Sequence, residues 1–311
     1  TPRIARLDLK TFRTAEIIEL PNSAGNHSSP FITENTEYVV AGTRFSVPPD
    51  NANGDVAINT YKENFKGYLS FVKVGKAGEM DLSFQIEAPG VNFDLSHAGK
   101  GKSHGWFFFS CYNTEQANTL LEVNASQKDK DFIMAVNWKK AEEYIKAGKG
   151  KKVPAKYVHN TWDEKTQTAK SEMKSEVLVL SAKELKDICY MIPCPKSPHG
   201  CDVDPTGEYI VGSGKLAALI PVFSFDKLQN AIKAKQFDGE YDGIPVVKYE
   251  AALHGEVQKP GLGPLHTEFD GKGNAYTTFF VSSEVVKWDI KSLKVLDRVP
   301  TYYSVGHLCI P

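Results

Sequence analysis

The segment from Pro260 to Asp289, PGLGPLHTEFDGKGNAYTTFFVSSEVVKWD, constrains the fold more than any other part of the chain. His266 follows a Gly-Leu-Gly-Pro-Leu lead, the turn Asp270-Gly-Lys-Gly273 comes next, and two strand-like runs follow, the second ending in Lys287-Trp288-Asp289. Glycine and aspartate suit a tight turn, while β-branched and aromatic residues suit a pleated sheet, so the segment reads as a hairpin with an imidazole at its mouth. The arrangement recurs. His27 precedes Glu37-Tyr38-Val39-Val40, and His199 precedes Gly207-Glu208-Tyr209-Ile210-Val211. Strand-then-turn endings recur as well, at Leu7-Asp8, Leu69 to Lys73, Ile133 to Asn137, Val222 to Asp226 and Val286 to Asp289. Their spacing, on the order of 60 to 90 residues, is longer than the roughly 40–50 of common propeller repeats. Short strands repeated in this way predict an all-β fold with blades around a central axis. A sandwich accommodates the strands but gives no reason for histidines at matching places.

Two stretches break the strand pattern. Lys139 to Gly148 and Asp226 to Gln236 carry apolar residues at helical spacing, Ala141 with Tyr144 and Ile145, and Leu228 with Ile232. Both are expected as surface helices between blades. The lysine-rich run Lys146 to Lys156 and the stretch Gly99 to Ser103 are expected as solvated loops.

With Lys+Arg 37 against Asp+Glu 38, the net charge of −1 offers no field for nucleic acid. Apolar runs such as Ala217 to Phe223 fall short of the roughly 20 residues of a membrane span. No signal-peptide pattern opens the sequence. A strand pattern already running at Ile4, and an end inside the stretch Gly306 to Pro311, lead us to expect a piece of a longer protein. Cys111, Cys189, Cys194, Cys201 and Cys309 form no CxxC pair, which argues against a disulfide framework and a structural zinc site.

The sequence holds no HExxH, no GxSxG and no phosphate-cradling glycine loop. Chemistry therefore rests on histidine. His199, His266 and His307 each lie beside or near Pro or Gly and close to a strand, and radial blades bring such distant positions to one end of a central channel. Neutral imidazoles converging there would make a metal site, with copper and zinc the natural candidates. Any one of them alone reads more readily as a hydrogen-bonded structural histidine. His27 and His97 also fit the repeat, so spacing leaves the ligand set open.

Three segments carry a resemblance: Ile192-Pro-Cys-Pro-Lys-Ser-Pro-His199-Gly, Gly261-Leu-Gly-Pro-Leu-His266-Thr-Glu-Phe-Asp-Gly-Lys-Gly-Asn-Ala-Tyr-Thr-Thr-Phe-Phe, and Ser110-Cys-Tyr-Asn-Thr-Glu115. They resemble the nitrous-oxide reductase family, and the likeness extends over essentially the whole chain, within that family's propeller domain. Ser197 and the residues from Gly99 to Trp106 point to its Sec-exported branch.

The resemblance implies a seven-bladed propeller of which this chain holds about four to five blades, residues 1–311, without the N-terminal blades, the final blade and a C-terminal cupredoxin domain. It implies a tetranuclear copper–sulfide centre bound by seven histidines, four of them matched by His27, His199, His266 and His307. His97, His104, His159 and His254 match no ligand position. Lys287 matches a lysine beside the cluster that would stabilise an oxygen-bearing intermediate or supply a proton, and Tyr112, Glu115 and Asp131 match calcium-binding positions. The loop from Glu122 to Lys130 and Ser197 depart from the pattern there. The activity implied is reduction of nitrous oxide to dinitrogen and water, the last step of denitrification. Its setting would be a periplasmic homodimer, with electrons from a c-type cytochrome or cupredoxin entering through binuclear copper in a domain outside this chain. The chain alone is then expected to be inactive, with open strand edges that favour aggregation. Rival readings are a non-catalytic propeller binding module and a quinone-dependent propeller dehydrogenase.

Overall fold

The computed structural model describes residues 2–23, 25–46, 65–112 and 131–310. In chain order the strands are β1 (Arg3–Asp8), β2 (Arg13–Glu19), β3 (Asn26–Ile32), β4 (Tyr38–Thr43), β5 (Lys66–Val74), β6 (Met80–Pro89), β7 (Asn92–Ala98), β8 (Trp106–Tyr112) and β9 (Phe132–Asn137). Helix α1 (Trp138–Lys146) follows, then β10 (Lys151–Asp163), β11 (Thr168–Ser181), β12 (Cys189–Pro193), β13 (Pro198–Val203), β14 (Tyr209–Gly214) and β15 (Leu219–Ser224). Helix α2 (Phe225–Lys233) precedes β16 (Phe237–Tyr241), β17 (Ile244–Val247), the short α3 (Tyr249–Ala252) and β18 (Leu253–Gln258). The last unit comprises β19 (Pro264–Phe269), β20 (Asn274–Phe279), β21 (Glu284–Asp289) and β22 (Val295–Pro300).

Among the described residues four antiparallel four-stranded units emerge from this order: β3-β4-β5-β6, β7-β8-β9-β12, β13-β14-β15-β18 and β19-β20-β21-β22. The first strands of successive units, β3, β7, β13 and β19, pack side by side, so the units fan out from a common line. This is an all-β, incomplete propeller. Its outer turns are closed by aspartate side chains that replace missing backbone partners. Asp270 accepts the Lys272 and Asn274 amides at 2.8 and 3.1 Å, with Gly271 and Gly273 at φ 67° and 96°, and Asp289 accepts the Ser292 amide at 2.7 Å.

Alternation along the strands builds the core between units. Phe71, Phe84, Phe93, Phe107 and Phe109 are buried between the first and second units, Phe108, Ile133, Tyr190 and Phe223 between the second and third, and Val211, Phe279, Val286 and Trp288 between the third and fourth. Cys111, Cys189, Cys194 and Cys201 are buried free thiols that pack as small apolar groups.

Both helices form where their periodicity placed them, but not between blades. Each leaves the third strand of a unit and lies before the fourth, α1 after β9 and α2 after β15. Asn137 and Ser224 cap them by accepting the Lys140 and Lys227 amides at 2.9 and 3.1 Å, so the last residue of the strand is also the helix cap. The lysine-rich run is likewise not all loop, since from Lys151 it forms β10. The long hairpin β10–β11 lies between β9 and β12 in sequence, and it pairs with β2 on one side and with β6 on the other. Where it meets β2, Glu16, only 2% exposed, accepts from the Met80 amide at 3.0 Å, Arg6 at 3.0 Å and His159 at 2.7 Å. Charge pairing offsets the absence of a two-sided apolar pattern there. No helix among the described residues is long and apolar enough to cross a membrane.

Candidate metal centre

The first strand of each unit begins at the same end of the molecule, and its first residues carry the polar groups. His27 is second in β3, Asp94 third in β7, His199 second in β13 and His266 third in β19. His307 follows β22 in an irregular segment.

Two local devices set His199. Lys196 and Ser197 both adopt left-handed φ, 56° and 60°, a costly conformation for residues with side chains. The Asp131 carboxylate holds that turn by accepting the Ser197 amide at 2.6 Å, and the Ser197 carbonyl accepts from the Lys215 backbone amide at 3.0 Å. Next to His199, Gly200 allows β13 to approach β19 closely. A Cβ at Gly200 would stand 2.3 Å from the Leu265 carbonyl oxygen.

The rings converge. Centroids of His27 and His199 lie 6.0 Å apart, His199 and His266 5.1 Å, His199 and His307 6.0 Å, and His266 and His307 4.0 Å. In His199, His266 and His307 one ligand-capable atom of each lies within 4.8 Å of the others.

Asp94 organises two of the four. One oxygen lies 2.6 Å from His199 Nδ1, while the other lies 2.7 Å from His27 Nδ1, which donates its hydrogen bond to the Asp94 carbonyl at 3.1 Å. Both rings therefore present Nε2 elsewhere. Arg44 and Lys215 stand 3.9 Å from the two carboxylate oxygens. Burial would raise the Asp94 carboxyl, but the hydrogen bonds of His199 and His27 and the Arg44 charge outweigh it and hold the group far below the usual carboxylate range. The same hydrogen bond from Asp94 raises the His27 pKa against the effect of burial. Burial drives His266 down to about 4, Asp202 opposing and the neighbouring His199 and His307 adding to it. His307 is lowered by burial and by His199 and His27. Imidazoles kept neutral in this way are suited to bind a metal. His266 Nε2 is buried with no hydrogen-bond partner in the structure.

The other histidines are engaged elsewhere. His97 Nδ1 accepts the Val203 amide at 3.1 Å, His104 lies between Glu34 and Glu37 at 3.0 and 3.1 Å, His159 binds Glu16, and His254 Nε2 lies 3.0 Å from the Lys291 carbonyl. Lys287 sits on β21, third strand out in its unit, with its ammonium 5.6 Å from the Tyr276 ring centre. The Tyr112 hydroxyl lies 3.4 Å from Lys215 Nζ, and Asp131 is buried behind the Ser197 turn. Glu115 lies outside the described residues. Sequence reasoning did not find Asp94. The signal was available: Asp94 occupies in β7 the slot that histidines occupy in β3, β13 and β19, although a search for imidazoles passes over a carboxylate.

Fold and site together define a class, a propeller-type β protein with an imidazole cluster at the convergence of its inner strands. Curated relatives named nitrous-oxide reductase match the chain. The protein of that name from Pseudomonas fluorescens is 30% identical over 328 residues, covering 98% of this chain and 44% of the relative. The one from Stutzerimonas stutzeri is 29% identical over 319 residues, with the same coverage of 98% and 44%, and the one from Cupriavidus necator is 30% identical over 333. The chain thus resembles nitrous-oxide reductase along nearly its whole length while spanning less than half of those relatives. No protein-family model matches it. Among solved structures, the periplasmic gluconolactonase PpgL of Pseudomonas aeruginosa aligns over 98% of this chain and 65% of its own, at TM-score 0.48 and 11% identity, too low to carry an argument.

Proposed function

We propose that this chain is part of a copper enzyme that reduces nitrous oxide, in which His27, His199, His266 and His307 hold copper of a tetranuclear copper–sulfide centre. The observation that carries the reading is the convergence of His199, His266 and His307, with His27 6.0 Å from His199, beside a buried His266 Nε2 that lacks a partner. An all-imidazole donor set fits copper. When bound, such a centre supplies electrons and an acceptor position for the substrate oxygen in the overall change N2O + 2H⁺ + 2e⁻ → N2 + H2O.

The residues of the chain do the rest. Asp94 fixes the Nδ1–H form of His27 and His199, so that both offer Nε2. The Asp131 carboxylate anchors the turn that delivers His199, and calcium held by Tyr112, Glu115 and Asp131 would stiffen the same turn. Lys287 is carried in this reading as a cation on the unit that bears His266. The remaining ligands, the binuclear copper domain, a homodimeric partner, an electron donor and a periplasmic setting would come with the longer protein, in a seven-bladed propeller.

Metal and sulfide analysis of the full-length protein tests the reading. Copper with acid-labile sulfide is expected, and both should fall in His199→Ala and His266→Ala. Protein that binds neither would instead be a non-catalytic propeller, and a quinone absorption band would make it a dehydrogenase.

A further inference from the structure

Asp94 accounts for two of the four rings; His266 has a carboxylate of its own. Asp202 lies in β13 beneath the imidazole cluster, with its side chain 13% exposed, and its Oδ1 faces His266 Nδ1 at 3.9 Å. Its other oxygen is not free to wander. Oδ2 accepts the amide of Thr267, the residue after His266, at 2.8 Å. Asp202 is thus tied to the strand that carries His266.

One competitor is present and is already engaged. His97 Nδ1 lies 3.8 Å from the same Oδ1, but that nitrogen accepts the Val203 amide at 3.1 Å and so carries no proton to offer. Of the two imidazoles near Oδ1, His266 is the one whose Nδ1 does not accept the Val203 amide and can carry a proton toward Oδ1. Its Nε2 is the buried atom without a partner. The 3.9 Å separation exceeds a hydrogen bond by about an ångström, a shift that a ring turn can supply.

We propose that Asp202 is the positioning residue for His266, taking its Nδ1–H and reserving Nε2 for a metal. This rests on the reading of the imidazoles as metal ligands. The fixed Oδ2 bond makes the idea sharp. In Asp202→Asn the amide oxygen must stay on the Thr267 amide, so the NH2 group turns toward His266 Nδ1. A donor there forces the proton to Nε2, the wrong form for ligation.

The test uses the full-length protein that carries this chain, purified free of copper and titrated with Cu(I) against a chromophoric chelator. His266→Ala should abolish or sharply weaken binding at this centre. Asp202→Asn should weaken it by roughly 10- to 100-fold with an unchanged melting temperature, and Asp202→Glu, which keeps the charged acceptor, should bind within a few-fold of wild type. Wild-type affinity in Asp202→Asn alongside loss in His266→Ala would overturn the role of Asp202 and leave the metal site standing. Wild-type affinity in His266→Ala would remove the metal reading itself. Should the Asn variant fail to fold, the Glu variant decides: affinity reduced as far as in His266→Ala would sink the proposal.

Discussion

Gly200→Ala is the sharpest probe of how the histidines are brought together. An ideal Cβ at this position stands 2.3 Å from the Leu265 carbonyl oxygen, 2.9 Å from Asp202 Oδ2 and 3.2 Å from Ser213 Cβ. A carbon–oxygen contact relaxes at about 3.3 Å, so β13 and β19 must separate by about an ångström, because the first obstacle is backbone. Overpacking of this kind costs about 1–3 kcal/mol. It also acts directly between the residues beside His199 and His266, whose rings are 5.1 Å apart. We expect a lower melting temperature and reduced copper per polypeptide in the full-length protein, read by calorimetry and metal analysis on the same sample. Gly271→Ala is the control. Gly271 has φ 67° and nothing within 4 Å of its Cβ position, so only left-handed strain of about 1 kcal/mol is added, with copper content unchanged. Wild-type stability and copper content in Gly200→Ala would refute the close approach of β13 and β19 as the cause of convergence.

Other expectations follow from the buried carboxylates. Asp94→Asn should lower copper content and cost about 2–3 kcal/mol, since it weakens charge-assisted hydrogen bonds to two imidazoles; unchanged copper content would exclude Asp94 as their organiser. In copper-free protein the Asp94 contribution has a definite pH sense. Its folded-state pKa is depressed, so the contribution is present above about pH 4, the unfolded value, and is lost on acidification, whereas the raised His27 pKa gives a contribution present below about pH 6.5 and lost as pH rises through its folded value. The stability difference between wild type and Asp94→Asn should therefore shrink toward both extremes of denaturant titrations run from pH 3 to 9, and a difference that does not vary with pH would contradict this. Glu16→Ala should free the hairpin β10–β11, costing about 3 kcal/mol for the buried ion pairs it breaks and exposing Asn160 to Ser175 to limited proteolysis. Cleavage there no faster than in wild type would argue that apolar packing alone docks the hairpin.

How far the sequence discloses such features depends on the kind of signal. His199 and His266 stand out because each sits before an Asp/Gly turn whose geometry the residues dictate, whereas His307 is marked only by its Gly306 neighbour and by resemblance, and His27 by the repeat and the resemblance. The helices are legible because Leu228 and Ile232 keep helical spacing against a strand background. The place of those helices inside a unit is not, because strand order depends on long-range pairing that β12 and β18 make only after an excursion. The hairpin β10–β11 escapes for another reason. From Thr168 to Met173 both faces are exposed, so no alternation marks a strand, and lysines suggest solvent. Asp202 offers no local signal at all; its meaning arises from Thr267, a residue of the neighbouring unit.

The excursion between β9 and β12 has a consequence for how the protein is made. A ribosome releases Phe132–Asn137 well before Cys189–Pro193, the strand that covers its outer edge. Until then an almost wholly apolar ribbon, Phe-Ile-Met-Ala-Val, stands open in the nascent chain, able to pair with any extended neighbour. The hairpin emerging in the interval can dock on β6 and β2, which are already synthesised, and so draw the missing strand back to its place. Slow biogenesis with a call on chaperones at this point, rather than weakness in the finished fold, is what such an interrupted blade entails.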